Sequence, residues 1–367
     1  MNKILILGLF CFVHYCVFAQ TPANDPHWQL KWEDNFNVLD ANIWNVADHT
    51  DGKGENFSVD IASNVYISNN MLICRAKKEY YCCPSNSLNE YGCYTQWEEG
   101  TCYQYTSGSV TTQSNYKTEY GYIEARIKMT FRKGVAYAFW TYGRGIHSNG
   151  YSEGDSEIDI FETIVPSMTQ ATNNLSLCTH TCYDTPLHEP GCEKIGGLIY
   201  TLPNFDYTDW YVYAIEWDPG KIIWYLDGKA VRTLQNKDLD NFGHNIKDPM
   251  SIILGCNVQP KYLTSTVSFS ECMYVDYVKV YQLKCDKNTP LTINNLTDLA
   301  NYDNRVKKSI TINPITIPAG NSIFLRANDF IELKPGFEVQ TGRELYLDVS
   351  PCEVPNSVKP PDLRENN

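Results

Sequence analysis

"EGDSEIDIFET" (153–163) sets Glu157, Asp159 and Glu162 among Ile158, Ile160 and Phe161. On a regular strand, side chains at i and i+2 share a face, so Glu157 and Asp159 point one way and Ile158 and Ile160 the other. Glu162 would then fall on the apolar side, where an unpaired carboxylate is expensive. One extra residue near Ile160–Phe161, a β-bulge, returns Glu162 to the face of the other two acids. The segment predicts a bulged strand with one acidic face and one core face. The alternative is an acidic strand face turned to solvent.

With the bulge, Glu157 and Glu162 stand about four strand steps apart, roughly 13 Å along the backbone. Side chains leaning toward each other would bring the carboxyl groups to the roughly 5.5 Å used by retaining glycosidases. Three acids on one face also force their pKa values apart, so one can stay protonated while another is ionised. Glycoside hydrolysis needs that pair.

The surrounding chain, from about residue 28 to 282, reads as all β. "NVYISNNMLICRAKK" (64–78) is two alternating runs around an Asn-Asn turn. "GYIEARIKMTF" (121–131), "YVYAIEW" (211–217), "MSIILGC" (250–256) and "MYVDYVKVYQ" (273–282) alternate similarly. Asp227-Gly228, between "IIWYL" and "KAV", is a hairpin signal. No long stretch carries a helical apolar period, and many strands in one domain point to a β-sandwich. The cysteine-rich "EYYCCPSNSLNEYGCYTQWEEGTCYQY" (79–105) reads as a stapled surface loop. Beyond "LKCDKNTPLTINN" (283–295), short alternations such as "ITIPAGN", "IFLRAND" and "LYLDV" suggest a small stacked β module. Cys285 and Cys352 bracket it and could staple it.

Composition limits the partners. The net charge of −13 argues against nucleic acid, which is held by a basic face. With 13% aromatic residues, including 26 Tyr and 8 Trp, the chain has material for a large core. The start, "MNKILILGLFCFVHYCVFAQTP", joins Lys3 to an apolar run too short for a membrane span, with Val17 and Ala19 placed for cleavage before Gln20. An exported protein is expected, without a membrane span and as a monomer. Removing Cys11 and Cys16 from the 14 cysteines leaves 12, which an exported chain would put into disulfides. "CTHTC" (178–182) could form half of a zinc site, but no second half matches it.

The motif "EIDIFE" resembles the bulged Glu-x-Asp-x-x-Glu signature of glycoside hydrolase family 16. The similarity covers most of residues 28–282. "KWEDNFNVLDANIWN" (31–45), "YTSGSVTT" (105–112), "YGYIEARIKM" (120–129), "AFWTYG" (138–143), "DWYVYAIEWDPGKIIWYLDG" (209–228) and "VDYVKVYQ" (275–282) follow in the family's order. The resemblance implies a β-jelly-roll sandwich with a concave substrate cleft and a retaining mechanism. By position in the signature, Glu157 would be the nucleophile, Glu162 the general acid/base, and Asp159 the residue that holds Glu157.

Trp140 would line the cleft under a sugar ring, unless it is a core tryptophan. His180 would be a sugar-binding residue, unless it belongs to a disulfide loop. Asp276 matches a position that in many members helps hold a structural calcium; catalysis itself requires no cofactor.

Departures from the family concern the substrate. Ala136-Tyr137 stands where laminarin-cleaving members carry Trp-Pro, Trp210-Tyr211 replaces Phe-His, and "GCNVQPKY" replaces a Gly-Gly loop. Arg144 and His147, in "GRGIHSNGYSEGD" (143–155), could bind a sulfate or carboxylate on the polymer, or belong to a solvated loop.

The expected domains are an export signal (1–19), a catalytic jelly roll (20–283), a linker (284–295), a small C-terminal stacked-β domain (296–352) and a polar tail (353–367). The C-terminal part resembles an accessory module of secreted bacterial proteins. The expected activity is endo-hydrolysis of a β-linked polysaccharide, with β-1,3-glucan ahead of agar, porphyran or carrageenan-type galactans. A non-catalytic carbohydrate-binding protein and a transglycosylase are the alternatives.

Overall fold

A computed structural model describes residues 22–46, 58–82, 102–113, 115–146, 152–163, 174–184, 190–201, 206–218, 221–235, 249–265, 267–320, 323–343 and 345–349. The expected export segment and the polar tail lie outside them. Strands dominate, as the alternation predicts.

The first strands are β1 (Trp28–Asp34), β2 (Asn45–Val46), β3 (Val59–Asp60), β4 (Val65–Ile67), β5 (Leu72–Cys82), β6 (Cys102–Thr111), β7 (Gly121–Met129) and β8 (Val135–Ile146). Next come β9 (Ser152–Thr163), β10 (Asn174–Asp184), β11 (Pro190–Thr201), β12 (Tyr211–Asp218), β13 (Lys221–Leu226), β14 (Lys229–Gln235), β15 (Ser251–Val258) and β16 (Ser270–Leu283).

The main path of the sheet runs β11-β10-β9-β8-β15-β6-β5-β16-β7-β12-β13-β14, with β1 to β4 at its margins. It doubles back at β6, which pairs with β15 through Gly108–Thr111 and with β5 through Cys102–Thr106. The two layers face each other across one core, giving the expected jelly-roll sandwich. Ile123, Ala125 and Ile127 of β7 and Ile215 and Trp217 of β12 enter it from one layer. Phe139, Ile158, Phe161, Ile252 and Leu254 enter from the other. Phe161 meets Tyr213 between the layers, ring centroids 4.3 Å apart.

Two hairpins form where the turn residues predict them. Asn69 and Asn70 both have positive φ, as do Asp227 and Gly228. Two consecutive positive φ angles match the right-handed strand twist that closes a two-residue hairpin.

The cysteines require a correction. Cys82 and Cys102 form a disulfide at the root of the 79–105 insertion, whose residues 83–101 lie outside the described ones. Cys74, Cys256 and Cys272, however, are free and buried. Cys74 and Cys256 enter the core as small apolar side chains, and burial pushes both thiols up and makes them inert. Counting cysteines in pairs cannot detect a thiol whose strand points it at the core. In the CTHTC stretch, Cys182 stands opposite Cys192 in the β10–β11 register.

The C-terminal part is a stack of short parallel strands. Its main sheet runs β17 (Leu291–Ile293), β18 (Lys307–Ile312), β20 (Ile323–Leu333) and β22 (Leu345–Val349). The pair β19 (Thr316–Ile317) and β21 (Glu338–Val339) lies beside it. Ile293, Ile310, Ile312, Leu325 and Ala327 form its own core. The span 284–295, expected to be a linker, contains β17, so the stack begins inside it. The short helix α1 (Leu296–Ala300) follows, capped by Asn295, whose side chain accepts from the Thr297 and Asp298 amides. No helix among the described residues is long and apolar enough to cross a membrane.

Arg326 of β20 lies over the Tyr120 ring, 5.7 Å from its centroid, beside the end of β12. There the Asp218 side chain is only 12% exposed, with Lys221 Nζ at 3.8 Å. Burial raises its pKa from 3.8 to about 6, against the pull of Lys221. The folded state thus holds a proton that the unfolded chain releases, and stability falls as pH rises from 4 through 6. Asp218→Asn is expected to gain about 2 kcal/mol relative to the parent between pH 4 and 7.5. Denaturant melts at the two pH values check this; equal differences at both would remove Asp218 from the pH response.

Candidate active site

The register of β9 builds the site. Ala138 pairs with Glu162 and Phe139 with Phe161, but Trp140 pairs with Asp159 and Tyr142 with Glu157. Ile160 is therefore the extra residue on β9. On the other flank, Ser176 stands opposite Glu162 and Cys178 opposite Asp159, so both neighbours meet the same bulge. Ile158, Ile160 and Phe161 are at most 2% exposed and fill the core. Asp159 is 5% exposed, while Glu157 and Glu162 are half-buried. From Glu157 to Glu162 the partner strand advances from Tyr142 to Ala138, roughly 13 Å along its backbone. The bulge brings the three acids into register on one face.

The opposite layer holds the bulge in place. Trp224 of β13, 1% exposed, donates its indole N–H to the Asp159 carbonyl at 2.7 Å. Arg232 of β14 donates to the Leu177 carbonyl on β10, beside the register shift there, and lies 4.9 Å from the Trp224 ring centroid. A bulge disrupts the local ladder, and side-chain donors from outside the sheet can meet its carbonyls. One hairpin, β13–β14, thus serves the backbone of both strands.

The remaining expected residues divide. Trp140 is half-buried, outside the core cluster and in register with Asp159, so the core alternative does not hold. Its neighbour Phe139 takes the core position. His180 lies on β10 directly opposite Glu157, on a strand rather than in a loop. Arg144 pairs with Asp155, because β8 continues to Ile146 and β9 begins at Ser152. Residues 143–146 and 152–155 of the expected loop are therefore strand. His147 lies outside the described residues.

Asp276 does not fit a cation. The guanidinium of Arg126 donates to its carboxylate at 2.7 Å, placing positive charge where calcium would need a ligand. Among the described residues, no group of three Asp, Glu, His or Cys could hold a metal.

Two features of this face were not read from the sequence. Tyr142 stands opposite Glu157 and meets the edge of Trp140, ring centroids 6.1 Å apart. Its spacing of two from Trp140 was the available signal. The row through Glu162 continues over Ala138, Gly255 and Ser109, all small. A Cβ on Gly255 would come within 2.7 Å of Ser109 Cβ, so glycine keeps this part of the floor low. Beyond it, Ser109 and Ser107 both donate to the buried Asp60 carboxylate, Ser107 at 2.5 Å.

Comparison with known proteins identifies the family. The model of the glycosyl hydrolases family 16 matches residues 53–270, more than half of the chain. Kappa-carrageenase of Pseudoalteromonas carrageenovora is 30% identical over 69% of this chain and 64% of its own length. The clotting factor G alpha subunit of Tachypleus tridentatus is 24% identical over 76% of this chain, which spans only 38% of that protein. Among solved structures, the catalytic domain of an endo-1,3-beta-glucanase (laminarinase) from Thermotoga petrophila RKU-1 superposes with a TM-score of 0.54. It is 28% identical and covers 70% of this chain and 98% of its own. The chain belongs to the glycosyl hydrolases of family 16.

Proposed function

We propose that this protein is an exported, endo-acting, retaining β-glycanase whose first substrate is a β-1,3-glucan. The observation that carries the reading is the bulge at Ile160, which puts Glu157, Asp159 and Glu162 on one face beside Trp140. Glu157 attacks the anomeric carbon while Glu162 protonates the departing glycosidic oxygen, leaving a glycosyl ester on Glu157. Glu162, now a carboxylate, takes a proton from water, which attacks the same carbon and frees Glu157 with retained configuration. Asp159 positions Glu157. The face of Trp140 supports a sugar ring. The Cys82–Cys102 disulfide supports export into an oxidising compartment.

The neutral glucan is favoured by the likeness to the laminarinase. A carrageenan-type galactan is the second reading, favoured by the 30% identity to kappa-carrageenase.

The test incubates the mature protein with laminarin, mixed-linkage glucan, agarose, porphyran and carrageenans, and follows oligosaccharide release by chromatography. Release from laminarin, with the new anomeric centre retained by NMR, is the expected result. Release from a sulfated galactan alone would overturn the glucan assignment. Binding without any release would favour a carbohydrate-binding protein on this fold.

A further inference from the structure

On the outer face of the opposite layer, away from the cleft, Lys128 of β7 pairs in register with Tyr274 of β16. Tyr274 pairs with Ile73 of β5, and Ile73 with Tyr66 of β4. Trp210, immediately before β12, closes the far end of the row. Strands spaced about 4.8 Å apart make this strip roughly 19 Å long from Trp210 to Tyr66, a length that several sugar rings would cover. Trp210, Lys128, Tyr274 and Tyr66 are each half-buried, so the strip reaches solvent.

Its cations are braced by its rings. Lys128 Nζ lies 5.2 Å from the Trp210 ring centroid and 5.1 Å from that of Tyr274. Arg75 lies 5.4 Å from the Tyr66 ring and donates to the Asn64 side chain and the Ser63 carbonyl. Arg126 lies 4.5 Å from the Trp210 ring, and Asp276 balances its charge. Among the described residues, no carboxylate lies in ion-pair range of Lys128 or Arg75. Long cationic side chains normally lose rotamer freedom on binding, and here the rings have already restricted them. Glu79 feels the Arg75 charge from beyond ion-pair range. In a chain of net charge −13, two braced cations outside any ion pair among the described residues mark a place for fixed negative charges.

We propose that this strip is a second, non-catalytic binding site for an anionic polysaccharide, one carrying sulfate or carboxylate groups along its chain. Lys128 and Arg75 take the anions, while the exposed parts of Tyr274 and Tyr66 pack against sugar rings. The cleft acts on its substrate from the opposite side, so the strip can hold the protein on a charged matrix during turnover.

The test uses the full mature chain carrying Glu157→Gln, which prevents turnover, in native gels cast with kappa-carrageenan or with neutral agarose. Kappa-carrageenan is expected to retard the protein, and added salt to reduce the effect. Lys128→Ala with Arg75→Ala should weaken that retardation roughly tenfold, while Lys128→Arg with Arg75→Lys preserves it. Equal retardation of the parent and the alanine double variant would overturn the proposal. So would equal retardation by agarose, or loss of retardation when short laminarin oligosaccharides fill the cleft. Because the readout is binding without turnover, failure here leaves the catalytic reading standing.

Discussion

Glu157→Gln is expected to lower hydrolysis of the responsive polysaccharide by roughly 10⁴- to 10⁶-fold, the scale seen when a covalent nucleophile is lost. The amide keeps the size of the carboxylate and much of its hydrogen bonding, so polymer binding should change little. It cannot attack the anomeric carbon or carry the glycosyl ester. The bulge makes this a test of geometry as well as chemistry, because Glu157 and Glu162 share a face only through the extra residue at Ile160. Their roles separate on adding azide to alanine variants assayed with an aryl glycoside. Glu157→Ala with azide should give a glycosyl azide of inverted configuration, since azide then attacks the substrate directly. Glu162→Ala should give one of retained configuration, since azide then attacks the glycosyl ester on Glu157. Undiminished sugar release from Glu157→Gln would remove Glu157 from the mechanism, and the opposite pattern of azide products would exchange the two roles.

The acids were legible because burial penalises a misplaced charge. Glu162 had no acceptable place on a flat strand, and the bulge was the smallest repair. The Asn69-Asn70 and Asp227-Gly228 turns were legible for a similar local reason, since these residue types tolerate positive φ. What stayed hidden depends on pairing between distant segments. His180 looked like a loop residue because nothing within CTHTC states that it lies opposite Glu157. The free thiols Cys74, Cys256 and Cys272 were hidden because cysteine arithmetic ignores which face a strand buries. The start of the stack inside 284–295 was missed because β17 has only three residues and pairs in parallel with a strand further along. Trp224 was hidden by its own plausibility. In "KIIWYL" it reads as another core side chain, and its indole partner lies 65 residues away.

That bond makes Trp224→Phe the second large test. Phenylalanine keeps an aromatic ring in the core but removes the N–H that reaches the Asp159 carbonyl at 2.7 Å. Loss of a buried donor from a carbonyl costs about 1–3 kcal/mol, and the smaller ring adds a packing loss. The displaced backbone would be that of Asp159, immediately before the extra residue Ile160. A misplacement on the order of 1 Å there can cost roughly 10²-fold in kcat, because the two glutamates must stay spaced for one sugar ring. Stability alone would not reveal this, since many core variants lower Tm. Ile215→Val supplies the comparison: it is buried in the same layer but makes no bond to β9. Assayed well below both melting temperatures, Ile215→Val should keep the parent kcat. Trp224→Phe should lose kcat with KM nearly unchanged, and the limbs of its pH–rate profile should shift as the spacing of the carboxylates changes. If Trp224→Phe lowers Tm but leaves kcat and the pH profile intact, the strands flanking β9 hold the bulge unaided, and the indole bond belongs to stability alone.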